Sequence, residues 1–515
     1  MFLRGMLMSG DSRSLTRSGL IVMFLNGAAI VAAFMREATI AYYYGASAEL
    51  DAFSVAFSFV RTVTELLPLT LGLAIIPLLA KGKKGESAEQ KAGLFGTWTF
   101  IVLTCIALGY LLLGRSVVRI IAPGFDEKRM RMAELFIWIV SPIIVVRGMF
   151  IPVKSFANFF QRFALPEVGR VVTGAAIPIL LLLFAHYWKQ SALPRAYLVG
   201  TAVGVIVATA ALRGLKMRLV VRGVMRVIKE AVPVLVPLII FLGLSYAQNA
   251  VALVFLSNLE KGTISAMRYA VNVTSVPVSV IGGAIATVIF PRLAVSAADG
   301  NIQSVKEVTT RALLFGVFTG AVTATVLSLL DMPVVKILFE RGRFSSGATQ
   351  ICAGFMSIHA ISIPYSVALG VLSRLSVSVG KPSWLVLATA AYLPVQVAVA
   401  WSLLTVFGGN AVALAHVMAT ASSVVVLAWL CRRWVFTSTT KTLLLFIATT
   451  VPAAASCVVT HLFRQSLPLW ERFSLAFAAV STYIFACYLL SPALWKDLLR
   501  VMKMLHPTTL FGRWK

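Results

Sequence analysis

Fourteen apolar stretches, separated by charged or turn-rich breaks, divide this chain of 515 residues. They run over about 18–35, 52–80, 92–114, 133–153, 171–187, 196–212, 231–256, 266–291, 312–332, 348–373, 383–407, 411–431, 442–460 and 473–494. A bilayer core about 30 Å thick needs roughly 20 apolar helical residues to cross it, and in lipid only a helix or a closed barrel satisfies its own backbone. Runs of this length are helices. The expected fold is therefore an all-α polytopic membrane protein with about 14 transmembrane helices. The composition agrees: 59% hydrophobic and 13% charged residues exclude a soluble enzyme. Five cysteines, Cys105, Cys352, Cys431, Cys457 and Cys487, are scattered singly, so no disulfide or metal framework is legible. No small-residue cleavage site follows the first run before Arg36, which argues against a removable signal.

The 46 Lys and Arg against 19 Asp and Glu give a formal charge of +27, which in a soluble protein would point to nucleic acid. Their placement says otherwise. An even number of spans puts both termini on one side, and the Lys/Arg bias between loops selects the cytoplasm. With that assignment 29 of the 46 fall in cytoplasmic loops and tails, 14 in outer loops and three within spans. The excess is topological, and no nucleic-acid partner is expected. The stretch Arg213–Lys229 alternates bases with Leu, Val and Met, as a helix lying on anionic headgroups would.

A faint internal repeat brings 75–80 over 289–294, each before a polar cytoplasmic loop, at an offset of about 214 to 217 residues. It predicts an N-terminal lobe at 1–212, an amphipathic linker at 213–230, a C-terminal lobe at 231–436, and a helix pair with a basic tail at 437–515. Six spans per lobe give both lobes the same orientation, related by an axis along the membrane normal.

Ionisable side chains inside spans are costly and are functional candidates by default. Arg36 and Glu37 are expected to close segment 1 near its outer boundary. Asp51 opens segment 2, Arg61 and Glu65 share one face of it at i and i+4, and Arg147 lies in mid segment 4. Asn26, Asn158, Gln248, Asn249, Asn272, His359 and His416 are the accompanying uncharged polar groups. Arg61 and Glu65 read equally as a self-neutralising pair, Arg36 and Arg147 as snorkelling or carbonyl-paired cations, Asn26 and Asn249 as interhelical glue, and the histidines as packing residues. The sign favours function: a guanidinium that exchanges a carboxylate for a phosphate keeps its bidentate geometry. No acidic residue is expected deep in any span beyond segment 2. No nucleotide loop, nucleophile elbow or metalloprotease motif occurs, so neither catalysis nor a cofactor is expected.

Several stretches together resemble the MurJ/MviN family of lipid II flippases, within the multidrug/oligosaccharidyl-lipid/polysaccharide exporter superfamily. They are REATIAYYYGASAELDAFSVAF at 36–57, APGF at 122–125, NFFQRFALP at 158–166, GTISAMRYA at 262–270, VIFPRLA at 288–294 and LFERGRF at 338–344. The resemblance implies two six-helix lobes around a central cationic cavity, with segments 13 and 14 forming a groove for a polyprenyl tail. It implies an undecaprenyl-pyrophosphate-linked glycan as substrate, the phospholipid bilayer as surroundings, cell-wall synthases as partners, and the bacterial cytoplasmic membrane as location. The family's essential arginine falls on Arg36, its following acid on Glu37 and a further acid on Asp51. Its basic residue in segment 2 aligns with Thr64, one turn from Arg61. An earlier segment 1 arginine aligns near Ile30, and the segment 8 arginine is missing, leaving Asn272 beside that position. Some relatives bind sodium through acids in segments 7 and 11, and neither segment has one here.

Overall fold

The structure, a computed structural model, describes residues 12–80, 88–159, 162, 164–213, 224–435, 455, 458 and 468–490. Among these every regular element is a helix. Eight stretches are long and apolar enough to cross a membrane, nine if one bent pair counts as a single span. Large side chains such as Phe24, Leu112, Trp401 and Phe477 stand more than three-quarters exposed, which only a lipid surround accommodates on this scale. The first half of the repeat, the linker at 214–223, most of segment 13 and the tail after 490 lie outside the described side chains and residues.

The chain forms two compact units, Met1–Leu242 and Gly243–Lys515. The first contains α1 (Ser12–Tyr44), α2 (Ala48–Ala80), α3 (Ala88–Ile121), α4 (Glu127–Phe159), α5 (Ala164–Trp188) and α6 (Ala192–Thr209). Helix α7 (Val224–Ser257) begins there and continues into the second unit. Segment 1 does not close at Arg36: α1 runs two turns further, through Tyr42–Tyr44, and stops where Gly45 takes φ of +57°. The apolar run ended at Arg36, but the helical hydrogen bonding did not.

Small residues set the closest approach in this unit. Helices α5 and α6 fold back on each other through a 3-10 turn, Lys189–Ser191. A Cβ on Gly204 would overlap Thr173 Oγ1 and the backbone oxygen of Gly169, and one on Gly200 would meet Ile177. Without a hydrophobic force between helices in lipid, this backbone proximity is what makes the dispersion contacts. Two tyrosines tie neighbouring helices: Tyr110 donates to Ala56 O at 2.6 Å, and Leu193 N donates to Tyr44 Oη at 3.1 Å.

The second unit holds α8 (Thr263–Ala298), α9 (Ile302–Leu329), α10 (Asp331–Phe339), α11 (Ser346–Ala360), α12 (Ile363–Ser378), α13 (Ser383–Phe407), α14 (Gly409–Leu430), the short α15 (Arg432–Val435) and α16 (Leu469–Leu490). Val317, Val367, Leu372, Leu375 and Leu427 form its main core. Segment 10 was expected as one span, yet it is broken into α11 and α12, bent by 46°. Pro364 explains the break, because it has no N–H and its ring excludes the carbonyl four residues back. The helix α16 is fixed to this core by Arg472, whose Nη1 lies 3.0 Å from Asp331 Oδ1 with both side chains buried. Arg472, which precedes the last apolar run in the sequence, is a buried residue of the first turn of α16.

Candidate functional site

Three helices of the first unit bring its charges together. On α2, Arg61 Nε lies 3.2 Å from Glu65 Oε2, as the i,i+4 spacing anticipates. Across the helix boundary Arg147 Nη2 of α4 reaches Glu65 Oε1 at 3.6 Å, so one carboxylate serves two guanidiniums. On α1, Arg36 donates through Nε and Nη2 to Glu37 Oε1 at 3.1 and 3.0 Å. Its Cζ stands 5.7 Å from the ring centre of Tyr197 on α6, within cation–π range. Arg36 and Arg61 both lie within electrostatic reach of Arg147. In these pairs three guanidiniums share two carboxylates, a local surplus of one positive charge.

Exposure decides what these pairs can do. Arg61 and Glu65 are 46% and 45% exposed; such pairs are weak, ~0.2–1 kcal/mol, and exchange partners readily. Arg36 is more enclosed, beside the nearly buried Glu37. The site has an aromatic floor: Phe53 and Phe57 of α2 pack against Tyr197 with ring centres 5.1 and 5.0 Å apart, and Phe136 of α4 closes on Phe53. Chemically this is an anion-receptive patch, with planar donors on a rigid apolar base and a carboxylate to displace. It holds no nucleophile–base pair. Among the described residues no group of three or more His, Cys, Asp and Glu has a metal-holding arrangement.

The other predicted residues are placed differently. Asp51 is buried in the first turn of α2, where unsatisfied helix amides favour a carboxylate. Thr64 is buried and bonds back to Val60 O, while Arg61, one turn away, carries the charge. Asn272 belongs to α8 in the second unit, so the charge cluster is built without it. Asn26 does join helices, accepting from Arg170 of α5. Asn249 does not: its amide bonds to Ser245 O in its own helix. Gln248 and Gln396 supply the glue between α7 and α13, through Gln396 Nε2 to Gln248 O at 3.0 Å and Gln248 Nε2 to Thr389 O at 3.3 Å.

Sequence reasoning missed three groups. Tyr197 sits in an ordinary apolar run and becomes a partner of Arg36 only through α6 packing. Glu167, buried at the start of α5, is flanked by Lys154 at 2.7 Å and Arg170 at 2.8 Å. The signal was the single acid among the bases of loop 154–170. Asp331 and Arg472 are 141 residues apart, and nothing local announces their pairing.

A family model described as lipid II flippase MurJ matches residues 40–481. The "Probable lipid II flippase MurJ" of Rhizobium meliloti (strain 1021) is 26% identical over 355 residues, 65% of this chain and 65% of that protein. The protein of the same name from Buchnera aphidicola subsp. Schizaphis graminum (strain Sg) is 23% identical over 330 residues, covering 61% of this chain and 63% of its own. The matched regions thus span just under two thirds of these relatives. A solved structure described as lipid II flippase MurJ in an inward closed conformation superposes with a TM-score of 0.75 at 17% identity, over 92% of this chain and 100% of that one.

Proposed function

This chain belongs to the MurJ family of lipid II flippases, and from that premise we propose that it moves an undecaprenyl-pyrophosphate-linked peptidoglycan precursor from the inner to the outer leaflet. The observation that carries this reading is the surplus of guanidinium over carboxylate where α1, α2 and α4 meet. The pyrophosphate takes the place of Glu65 on Arg61 and Arg147 and is held by Arg36, whose side chain is steadied by Glu37 and Tyr197. Asp51 fixes the start of α2. The polyprenyl tail stays in lipid. Two lobes, 1–212 and 231–436, rock about the headgroup, joined by the linker at 213–230 and followed by 437–515.

The cycle makes and breaks no covalent bond, so alternating access and charge do the work. The headgroup is anionic, and an inside-negative potential favours its outward movement by about 2.3 kcal/mol per charge per 100 mV. In this reading the protein lies in the bacterial cytoplasmic membrane with both termini in the cytoplasm, and cell-wall synthases take up its product outside.

Complementation distinguishes the substrate. Expression in a strain depleted of its lipid II flippase restores growth and cell shape under this proposal. Rescue only of a strain lacking the flippase for an exopolysaccharide or O-antigen unit would move the assignment to another lipid-linked oligosaccharide.

A further inference from the structure

Helices α7 and α13 are segments 7 and 11, the pair through which the resemblance places sodium in some relatives. A cation that leaves water for protein needs several oxygens to replace its hydration shell. In transporters these come from acidic side chains and from carbonyls freed where a helix unwinds. Neither is present at this contact. Helix α13 carries no acid, and the one acid of α7, Glu230, precedes Gln248 by about five turns. Both run as single helices through the contact, α7 over Val224–Ser257 and α13 over Ser383–Phe407. Helix α14, packed along α13, adds no Asp or Glu.

What meets there is a pair of amide nitrogens. Gln396 Nε2 donates to Gln248 O at 3.0 Å, and Gln248 Nε2 donates to Thr389 O at 3.3 Å. The partners settle which end of each carboxamide is which: a backbone carbonyl only accepts, so the side chain must turn its NH2 toward it. Two backbone oxygens are thereby engaged, and the positive ends of two N–H dipoles point into the contact, where they repel a cation. Thr389 Oγ1 is turned to its own helix, donating to Leu385 O at 2.7 Å. Gln396 is only 2% exposed, so its bond is shielded from water. Its Oε1 has no partner among the described residues, and one neutral oxygen does not repay the cost of stripping a cation of its water.

A bridging ion and a bridging amide tie helices differently. An ion does so only at concentrations where it binds, and its gradient then biases whichever state holds it better. Carboxamides belong to the chain, and their interhelical bonds are individually modest in lipid but present in every ionic condition. Neutral groups of the same kind fasten α13 to α14: Ser423 Oγ donates to Ala388 O at 2.8 Å, and Tyr392 Oη lies 2.6 Å from His416 Nδ1. We infer that the carboxamides of Gln248 and Gln396 take the place of a sodium ion between α7 and α13, so that this protein is tied there without a cation and flips its substrate without a sodium gradient. The flipping clause rests on the flippase reading; the amide clasp does not.

The test has two arms. In the first, full-length protein in nanodiscs is melted in sodium chloride and in choline chloride of equal ionic strength. A sodium site would raise the midpoint progressively with sodium, as any ligand of the folded state does. The expected result is one midpoint for the wild type in both salts, and a lower midpoint for Gln396→Leu and for Gln248→Leu, by the same amount in either salt. A wild-type midpoint that climbs with sodium overturns the clasp, as does wild-type melting by both variants. Where leucine prevents insertion, the wild-type comparison still decides, because it needs no variant. In the second arm, wild-type vesicles at one imposed potential are compared in the two salts. The initial rate of lipid II headgroup exposure is expected to be equal in both; a severalfold slower rate in choline overturns sodium independence. If the wild type flips in neither salt, the flippase reading fails, while the melting curves still decide the clasp.

Discussion

Two ion pairs of the same chemistry are put to opposite uses in the two units. Arg61–Glu65 in the first unit is nearly half exposed on both sides and has a third member, Arg147, competing for the carboxylate. Asp331–Arg472 in the second unit is 1% and 6% exposed and joins α10 to α16. The exposed pair contributes little stability and can be exchanged for another anion. The buried pair cannot exchange, because removing one partner strands a charge in a low-dielectric core. Charge is thus open to exchange where it is shared and exposed, and a structural bolt where it is paired and closed. The interior polar groups follow the same division. The first unit concentrates arginines, whereas around the histidines the second relies on hydroxyls and, between α7 and α13, on amides.

Arg36→Ala should reduce flipping by more than about a hundredfold while leaving insertion and thermal unfolding near wild type, since the residue is partly exposed and its loss relieves Glu37 of only one partner. Arg36→Lys should recover part of the rate, because a point charge lacks the planar fork. Asp331→Ala should lower stability by about 3–5 kcal/mol, read from unfolding in detergent, by removing the carboxylate that faces the buried Arg472. A milder loss would mean that α16 is held by its apolar contacts instead. Gly204→Ala should cost about 1–3 kcal/mol by forcing α5 and α6 apart, visible as a lower melting temperature with the binding surface unchanged. Glu65→Gln should change stability by less than about 1 kcal/mol yet tighten binding of a pyrophosphate-headed lipid severalfold, since Arg61 and Arg147 lose their competitor. Asn249→Ala, whose amide bonds back to Ser245 O within its own helix, should fall within about 0.5 kcal/mol of wild type.

Much of this was legible in the chain because lipid enforces a simple rule. Apolar runs of helix length mark helices, and charges inside them stand out, which exposed Arg36, Arg61, Glu65 and Arg147. The i,i+4 pair on α2 followed from helical period alone. The contacts that needed the third dimension were hidden: Arg147 to Glu65, Tyr197 under Arg36, and Asp331 to Arg472 each join helices that sequence leaves unordered. Hydropathy also misjudged ends. The α1 boundary moved past Arg36 to Gly45, because a paired, half-enclosed arginine does not terminate a helix. The break at Ile361–Ser362 was hidden for the opposite reason: its residues are apolar, and only Pro364 betrays it. The histidines read as packing residues, and what a single position could not show is that the two rings stack on each other.

The decisive measurement is the initial rate at which purified lipid II headgroups become accessible on the far side of reconstituted vesicles under an imposed potential, for wild type and for Arg36→Ala, Arg61→Ala and Arg147→Ala. Guanidinium capture of the pyrophosphate predicts rapid exposure for the wild type and a steep fall for each variant, deepest for Arg36→Ala. Wild-type rates in all three variants, with the protein folded and inserted, would contradict it.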